Sequence, residues 1–586
     1  MKKSIRYLSI VIGLGMPMSL TAQNAIDAYN LSQPDLKGTA RFMGMAGAFG
    51  ALGGDLSSLS QNPAGIGVYR SSDIGFTLDL DVQNSSTEVR NFKENKGQTK
   101  FYLNNIGAVL TMRLPSKTIP NLNAGFTYNK GASFNRVYQG NFNSLQNSMS
   151  NYIAAQALAN GLTEGDVSFE NGDPYNAPAD YYQAPWLTVL GYNSYLINPQ
   201  LVEYTDKNGK PNYMTDWSGL WSNNSMTGNN TTGMAQYFMK ESGGIDEFNI
   251  ALGGNINNVL YWGMNFDIVS LSYSVSSYWG ENLENAIVPD ENLTLSRGPA
   301  SWGLNSRYKL SGTGFNYQLG FILKPIQPLR IGFAFHTPTW YNLDEEYGAT
   351  INYNIGSESG YNVTNEGYLG GNSYNFRTPW KIIASAAGVL GNNLIVSFDY
   401  EWANYGKMKF MEQTYYNINY DWDYPDPWTY GNRMDYDFMN YNDPYNFVNK
   451  TISWYYKSTN TFRVGVEFKP VSSLSIRAGY SYVSSPVRQE AKNNQLEIYT
   501  SSLTPSYRLD NSTNYITCGL GYRYSHIYID LAYVYKRMGS EYHGYSPIVN
   551  WHDEIENLDK SSVMKSPQSK LNFTNNQIVL SMGYRF

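Results

Sequence analysis

The chain has 586 residues, a formal net charge of −6 at pH 7 and an aromatic content of 15%, with 51 tyrosines, 25 phenylalanines and 13 tryptophans. The acidic balance argues against a nucleic-acid partner, and a single cysteine, Cys518, excludes an internal disulfide framework and a cysteine-rich metal site. Mean hydropathy is −0.43, and no segment after the first twenty or so residues carries the ~20 apolar residues that a spanning helix needs.

At the start, Lys2, Lys3 and Arg6 precede an apolar run at 7–20, and Thr21-Ala22-Gln23 offers small or polar residues for cleavage. This pattern predicts a signal peptide over 1–23 and export of the mature chain. A stretch of small residues follows, from Gly38 through Gly44, Gly47, Gly50 and Gly53-Gly54 to Asn62-Pro63-Ala64-Gly65. Small side chains let backbone pack in a confined space, and Asn-Pro fixes a turn or ends a helix. Residues 24–70 are therefore expected to form a compact N-terminal hatch, with Asn62, Pro63, Ala64 and Gly65 as its gate and its hinge to the first strand.

The remainder, 71–586, reads as alternating strands. Apolar and polar residues alternate near 72–82, 101–113, 121–131, 246–257, 259–276, 305–324, 328–340, 375–390, 393–403, 455–469, 473–484, 513–523, 526–538 and 576–586. Six short Pro-, Asn-, Gly- or Ser-containing connections, at 114–120, 257–258, 325–328, 391–393, 470–472 and 524–525, fall between successive runs and predict tight hairpins on one side. Long connections near 83–100, 132–245, 277–304, 341–374, 404–454, 485–512 and 539–575 fall on the other, and 132–245 is expected to be a folded extracellular cap. The fold class is all-β: a 14-stranded antiparallel transmembrane β-barrel with a small plug in its lumen and long extracellular loops.

One face of each run is apolar, as in Phe315, Tyr317, Leu319, Phe321 and Leu323, and should touch lipid. The opposite faces carry charges of both signs, among them Asp267, Arg330, His336, Asp399, Glu401, Arg463, Glu467, Arg477, Asp530 and Arg585. At the bilayer midplane such charges would cost several kcal/mol each on the lipid side, which assigns them to the lumen. The last run places Ile578, Leu580, Met582, Tyr584 and Phe586 on one face. Bacterial outer-membrane barrels commonly end on such an aromatic residue, so Phe586 is the candidate signal for the barrel assembly machinery. Tyr420-Asp421-Trp422-Asp423-Tyr424-Pro425-Asp426-Pro427-Trp428 is a candidate aromatic surface for catching a ligand or for packing a loop.

Taken together, the export signal, the small-residue segment, the Asn-Pro-Ala triplet before the first strand and the strands ending in Phe resemble the FadL/TodX family of outer-membrane transporters for hydrophobic compounds. Gly312-Thr313-Gly314-Phe315, Leu329-Arg330-Ile331-Gly332, His336-Thr337-Pro338-Thr339-Trp340, Thr378-Pro379-Trp380-Lys381, Asp399-Tyr400-Glu401 and Arg477-Ala478-Gly479-Tyr480 look similar to that family too. The 132–245 cap and the aromatic stretch near 410–450 depart from it.

The resemblance implies a monomer in the outer membrane of a Gram-negative bacterium. It implies uptake without energy input of long-chain fatty acids or other hydrophobic compounds, including aromatic ones, by capture at outer loops, hatch movement and lateral release into outer-membrane lipid. It further implies an inward kink in the third strand, for which Gly125, Asn129 and Gly131 are candidates, since glycine tolerates a broken ladder. Arg330, Arg377, Arg463 and Arg477 are candidate lumenal contacts for a ligand carboxylate. A surface binding protein or adhesin, including one for haemin, is the alternative reading. His336, His526, His543 and His552 are dispersed without ligand spacing and no nucleophile elbow is present, so no enzyme, metal or cofactor is expected.

Overall fold

The computed structural model describes residues 25–586 apart from 34, 91, 177–183, 206–209, 223–229, 291–293, 392, 413–444, 501–502 and 550–561. The expected signal peptide, the 420–428 aromatic stretch and His552 lie outside the described residues.

Fourteen antiparallel strands close into a barrel. In chain order they are Asp73–Val89, Phe92–Arg113, Asn121–Ser133, Thr232–Ile256, Leu260–Pro289, Leu295–Ile326, a seventh interrupted strand Leu329–His336 and Trp340–Ile355, and an eighth, Gly370–Arg377 and Lys381–Leu390. The ninth is Leu394–Asn404 with Lys409–Met411; Ser458–Val471, Leu474–Val483, Tyr507–Tyr524, Ile527–His543 and Gln568–Arg585 complete the wall. The first strand pairs with the last from Asp73↔Arg585 to Glu88↔Lys570, so the sheet has no free edge. Closure bonds the backbone polar groups between neighbouring strands, which is what a sheet needs to cross a bilayer. Among the described residues no helix is long and apolar enough to do so.

Side-chain alternation sorts the two faces. Phe315, Tyr317, Leu319, Phe321 and Leu323 are exposed outward while Asn316 and Gln318 between them are buried inward. In the last strand Ile578, Tyr584 and Phe586 face out, and Gln577, Val579 and Ser581 face in. Phe586 closes the seam through its backbone, its N–H donating to the Ser72 carbonyl at 3.0 Å and its carbonyl accepting from Ser72 N–H at 2.9 Å.

The tight turns sit at one rim. Asn257 and Asn258 both have positive φ, 54° and 56°, as a two-residue hairpin whose twist matches the flanking strands requires. At the other rim the strands run taller than the sequence pattern predicts. The fifth and sixth pair from Leu260↔Leu323 to Pro289↔Leu295 with one register shift between Leu283 and Ala286, so 277–289 and 295–304 are wall and not loop. There the outward row turns polar, with Ser274, Ser276 and Tyr278 opposite Lys309, Arg307 and Asn305. The apolar stripe that marks bilayer depth ends while the hydrogen-bond ladder, which does not depend on it, goes on. The 83–100 connection is likewise two paired strands reversing after Val89↔Phe92, and the seventh strand runs on to Ile355 through part of the expected 341–374 loop.

Between the third and fourth strands, helices Met149–Ala159, Glu164–Val167 and Trp186–Asn193 and the hairpin Ile197–Thr205/Pro211–Gly219 form a small folded layer. Its buried residues, including Ile153, Leu187 and Trp217, belong to one apolar cluster that continues into the upper lumen through Phe134, Tyr138, Tyr273 and Phe573. Tyr237 and Tyr542 stack there with centroids 3.8 Å apart.

The N-terminal segment lies inside the barrel. Helix Ala25–Ser32 sits within that upper cluster, Tyr29 stacking on Tyr456 and meeting Tyr405 edge-on. Three short elements follow towards the turn rim, Ala40–Gly44, Leu56–Ser60 and Pro63–Val68, each started by a polar N-cap: Thr39 accepts from Phe42 N–H, Asp55 from Ser57 N–H and Asn62 from Ala64 N–H. Pro63 stands at the first position of its turn, where its fixed φ fits and no N–H is missed.

Candidate functional site: a lumenal chamber at a break in the wall

Asn62-Pro63-Ala64-Gly65 is a docked knob. Asn62 Nδ2 donates to the carbonyl of Gly50 at 2.5 Å, and the turn packs on the fourth, fifth and sixth strands. The wall makes room with Gly263 and Gly320, which face each other in register; a Cβ on either would overlap Asn62–Ala64.

Ion pairs fix the same segment to the wall. Lys37 Nζ lies 2.7 Å from Asp79 and 3.5 Å from Asp81, and Arg41 Nε lies 3.0 Å from Glu467. Glu467 in turn holds Arg477 at 2.7 Å, and Arg477 bridges to Asp530. Asp399 accepts from Gly50 N–H at 2.9 Å and from Gln61 Nε2 at 2.8 Å, while Arg330 donates to the Leu52 carbonyl at 2.8 Å. His336 pairs with the Gln61 carbonyl at 2.8 Å. Burial alone would raise the Asp35 carboxyl, but Lys536, Lys37 and hydrogen bonds from Lys536 and Tyr515 outweigh it and bring it down to about 2.

One seam of the wall is incomplete. Backbone rungs between the second and third strands run from Arg113↔Asn121 to Asn105↔Asn129 and end there, although the second strand continues to Phe92 against the first. Against the fourth strand the third slips register between Lys130 and Ala132, leaving Gly131 out of the ladder. Beyond Ser133 the chain continues as Arg136–Phe142 on the fourth strand. It meets the first two strands by side chains: Tyr102 with Ser133 at 2.9 Å, Asn135 with Tyr102 at 2.6 Å and Gln139 with Glu94 at 2.8 Å, and Ser85 Oγ donating to the Val137 carbonyl. An omitted residue bends a strand and frees its backbone groups. Here the freed Gly131 carbonyl accepts from the Asp35 N–H of the inner segment at 3.3 Å.

Behind the break lies a chamber of about 170 Å³ bordered by Asn129, Lys130 and Gly131, by 31–33 and 35–37 of the inner segment and by the far wall from Gln318 to Tyr515. The far wall is itself interrupted, because Pro338 and Pro379 break the seventh and eighth strands at one level and remove ladder N–H groups. Hydroxyls patch the gap: Tyr317 N–H donates to Thr337 Oγ1 at 3.0 Å and Thr339 N–H to Thr378 Oγ1 at 2.8 Å. The chamber lining is predominantly polar, with Glu247, Gln318, His336, Lys381, Glu401 and Arg463 all reaching it.

The solved structures similar to this chain include a FadL homologue of Pseudomonas aeruginosa, at 12% identity and a TM-score of 0.48 over 94% of this chain and 99% of that one. The toluene transporter TodX of Pseudomonas putida, at 11% and 0.44, and the toluene transporter TbuX of Ralstonia pickettii, at 12% and 0.41, cover the same shares. The chain resembles the FadL and TodX barrels. The strand count rests on the pairing described above. No protein-family model matches the chain, and no curated protein matches it in sequence.

Of the residues singled out by sequence, Asn129 and Gly131 border both break and chamber. Gly125 does not: it pairs regularly with Val109 and Ala251, and its bare backbone accommodates Ile66 and Leu59 of the inner segment. Among the arginines, Arg463 reaches the chamber but is paired with Glu401 at 2.8 Å. Arg330 and Arg477 are committed to the inner segment and to buried carboxylates. Arg377 alternates with the buried Phe376 and Thr378 and does not line the chamber. Sequence reading missed Lys37, Arg41 and Asp79 as anchors, and Glu247 and Lys381 as chamber residues; inward alternation was the signal available for Asp79 and Lys381. Among the described residues no group of three or more His, Cys, Asp or Glu side chains converges as a metal site would need.

Proposed function

We propose that this protein is an outer-membrane channel for energy-independent uptake of long-chain fatty acids or other hydrophobic compounds. The compound is caught by the loops, reaches the lumenal chamber when the inner segment shifts, and leaves sideways through the seam between the second and third strands. The observation that carries this reading is the coincidence of three things over Asn129–Gly131: the end of the rungs at Asn129, the chamber, and the backbone bond from the inner segment to Gly131. An apolar chain leaving there for the bilayer gains ~0.8 kcal/mol per buried methylene, so the final step needs no energy source. In this mechanism the Asn62–Gly65 knob is a fixed docking point, and movement belongs to the segment above it.

The test is uptake of labelled oleate by cells lacking the gene and complemented with wild type or with chains altered within 24–66. Uptake unchanged by the deletion excludes the fatty-acid version. A second reading, a surface binding protein displayed on a barrel, is favoured by the single apolar cluster joining the loop layer to the inner helix. Tethering the inner segment to the wall separates the two, because binding at the loops would survive it and uptake would not.

A further inference from the structure

The charges around the chamber can be paired off. Asp35 is held by Lys536 at 2.9 Å, Lys37 by Asp79 at 2.7 Å, Lys130 by Asp246 at 2.9 Å and Glu401 by Arg463 at 2.8 Å. His336 spends a ring nitrogen on the Gln61 carbonyl. Of the charges that line the chamber two remain, Lys381 on the eighth strand and Glu247 on the fourth; Asp267 on the fifth strand lies behind the lining and accepts from Asn265 and Gln318. Neither is in an ion pair or a side-chain hydrogen bond among the described residues, and both line the chamber. The Glu247 carboxylate lies beside Gly131, where a Cβ would meet its oxygen at 2.8 Å.

A purely apolar solute in this chamber would displace water from one cation and one anion and return nothing. A carboxylate would satisfy Lys381 and be repelled by Glu247, and an ammonium would do the reverse. A head carrying both charges answers both groups at once. The chamber's 170 Å³ has room for about six waters, hence for a small head group and not for a long alkyl chain. Just below the last rung, Ile74, Phe76, Ile106 and Phe126 border an apolar groove of about 660 Å³ on the lipid face, which continues the route for a tail.

We propose that the chamber is a binding site for a zwitterionic head, an α-ammonium carboxylate, with its carboxylate on Lys381, its ammonium on Glu247 and its alkyl chain leading out past Gly131. This rests on the channel reading for the route of the tail, and it narrows the cargo from hydrophobic compounds in general to amphiphiles with a dipolar head.

Three probes of equal chain length test it on the full chain in nanodiscs by titration calorimetry: 2-aminododecanoic acid, dodecanoic acid and methyl dodecanoate. The amino acid is expected to bind about tenfold tighter than dodecanoate, as one additional charge-assisted hydrogen bond implies. Glu247→Gln should abolish that preference while leaving dodecanoate binding no weaker, which also shows the variant to be folded, and Glu247→Asp should restore part of it. Lys381→Met should weaken both acids by about tenfold and spare the ester. Dodecanoate binding as tightly as the amino acid, or a preference that survives Glu247→Gln, overturns the proposal. An ester that binds as well as either acid overturns the head-group site and leaves the channel standing; no binding of any probe, with oleate uptake unaffected by gene deletion, overturns both.

Discussion

The backbone N–H of Asp35 donates to the carbonyl of Gly131 at 3.3 Å, so the segment that fills the lumen is bonded to the one residue that drops out of the third strand's ladder. Any movement of the inner segment near Asp35 therefore alters the seam, and any change at the seam is felt by the segment. Asp35 is anchored further by Tyr515 and Lys536, each at 2.9 Å.

Tethering the inner segment should stop transport. Cysteine at Gly44 would place its Cβ 3.6 Å from that of Ala532, within the ~3.5–4.5 Å that a disulfide requires. In a Cys518→Ser background, Gly44→Cys with Ala532→Cys should oxidise spontaneously and arrest oleate uptake, and dithiothreitol should restore it. Full uptake by the oxidised protein would mean that this part of the segment does not move.

Removing the shared carboxylate of the buried network should loosen the segment. Glu467→Gln leaves Arg41 without its carboxylate and Arg477 with Asp530 alone, and stranding a buried charge costs roughly 3–5 kcal/mol. Limited proteolysis should then cut within 25–70 at least about tenfold faster than in wild type, with planar-bilayer conductance raised, while the barrel keeps its heat-modifiable mobility on gels.

Acid should leave the Asp35 contacts intact until the pH is very low. Its folded value is depressed to about 2, so its contribution, on the order of 2 kcal/mol, is present above the ordinary carboxyl value of ~3.9 and is lost as pH falls through about 2. Protection of the inner segment from pepsin should therefore hold at pH 4 and fail near pH 2. Asp35→Asn should weaken that protection at pH 4, and equal protection in both proteins there would show that the pair with Lys536 contributes nothing.

Filling the pocket under the knob should displace it. Gly263→Val puts side-chain atoms where the Pro63 carbonyl lies, and the turn cannot shift without losing the bonds from Asn62 Nδ2 to the carbonyls of Gly50 and Phe321. The expected result is a folded barrel with raised conductance; conductance like that of wild type would show the knob to be dispensable for closure.

Much of the wall was legible in the sequence. The fourteen runs and six tight turns fall where the strands and hairpins are, because period-two alternation and turn chemistry such as Asn257-Asn258 are local properties. Strand height was not legible. Where Ser274, Ser276 and Tyr278 replace the lipid-facing apolar row, the pattern that marks a membrane strand vanishes although pairing continues to Pro289↔Leu295.

The sequence by itself determined which residues face lipid and which face the lumen, since that choice is made residue by residue through alternation. Only the tertiary structure decided what the lumenal residues do. Lys37 finds Asp79 from 42 residues away and Arg41 finds Glu467 from 426, and Glu247 and Lys381, without an ion pair among the described residues, both line the chamber between the register slip at Gly131 and the strand interruptions at Pro338 and Pro379. Pairing of inward charges depends on strand register and on the path of the inner segment, which no local pattern encodes.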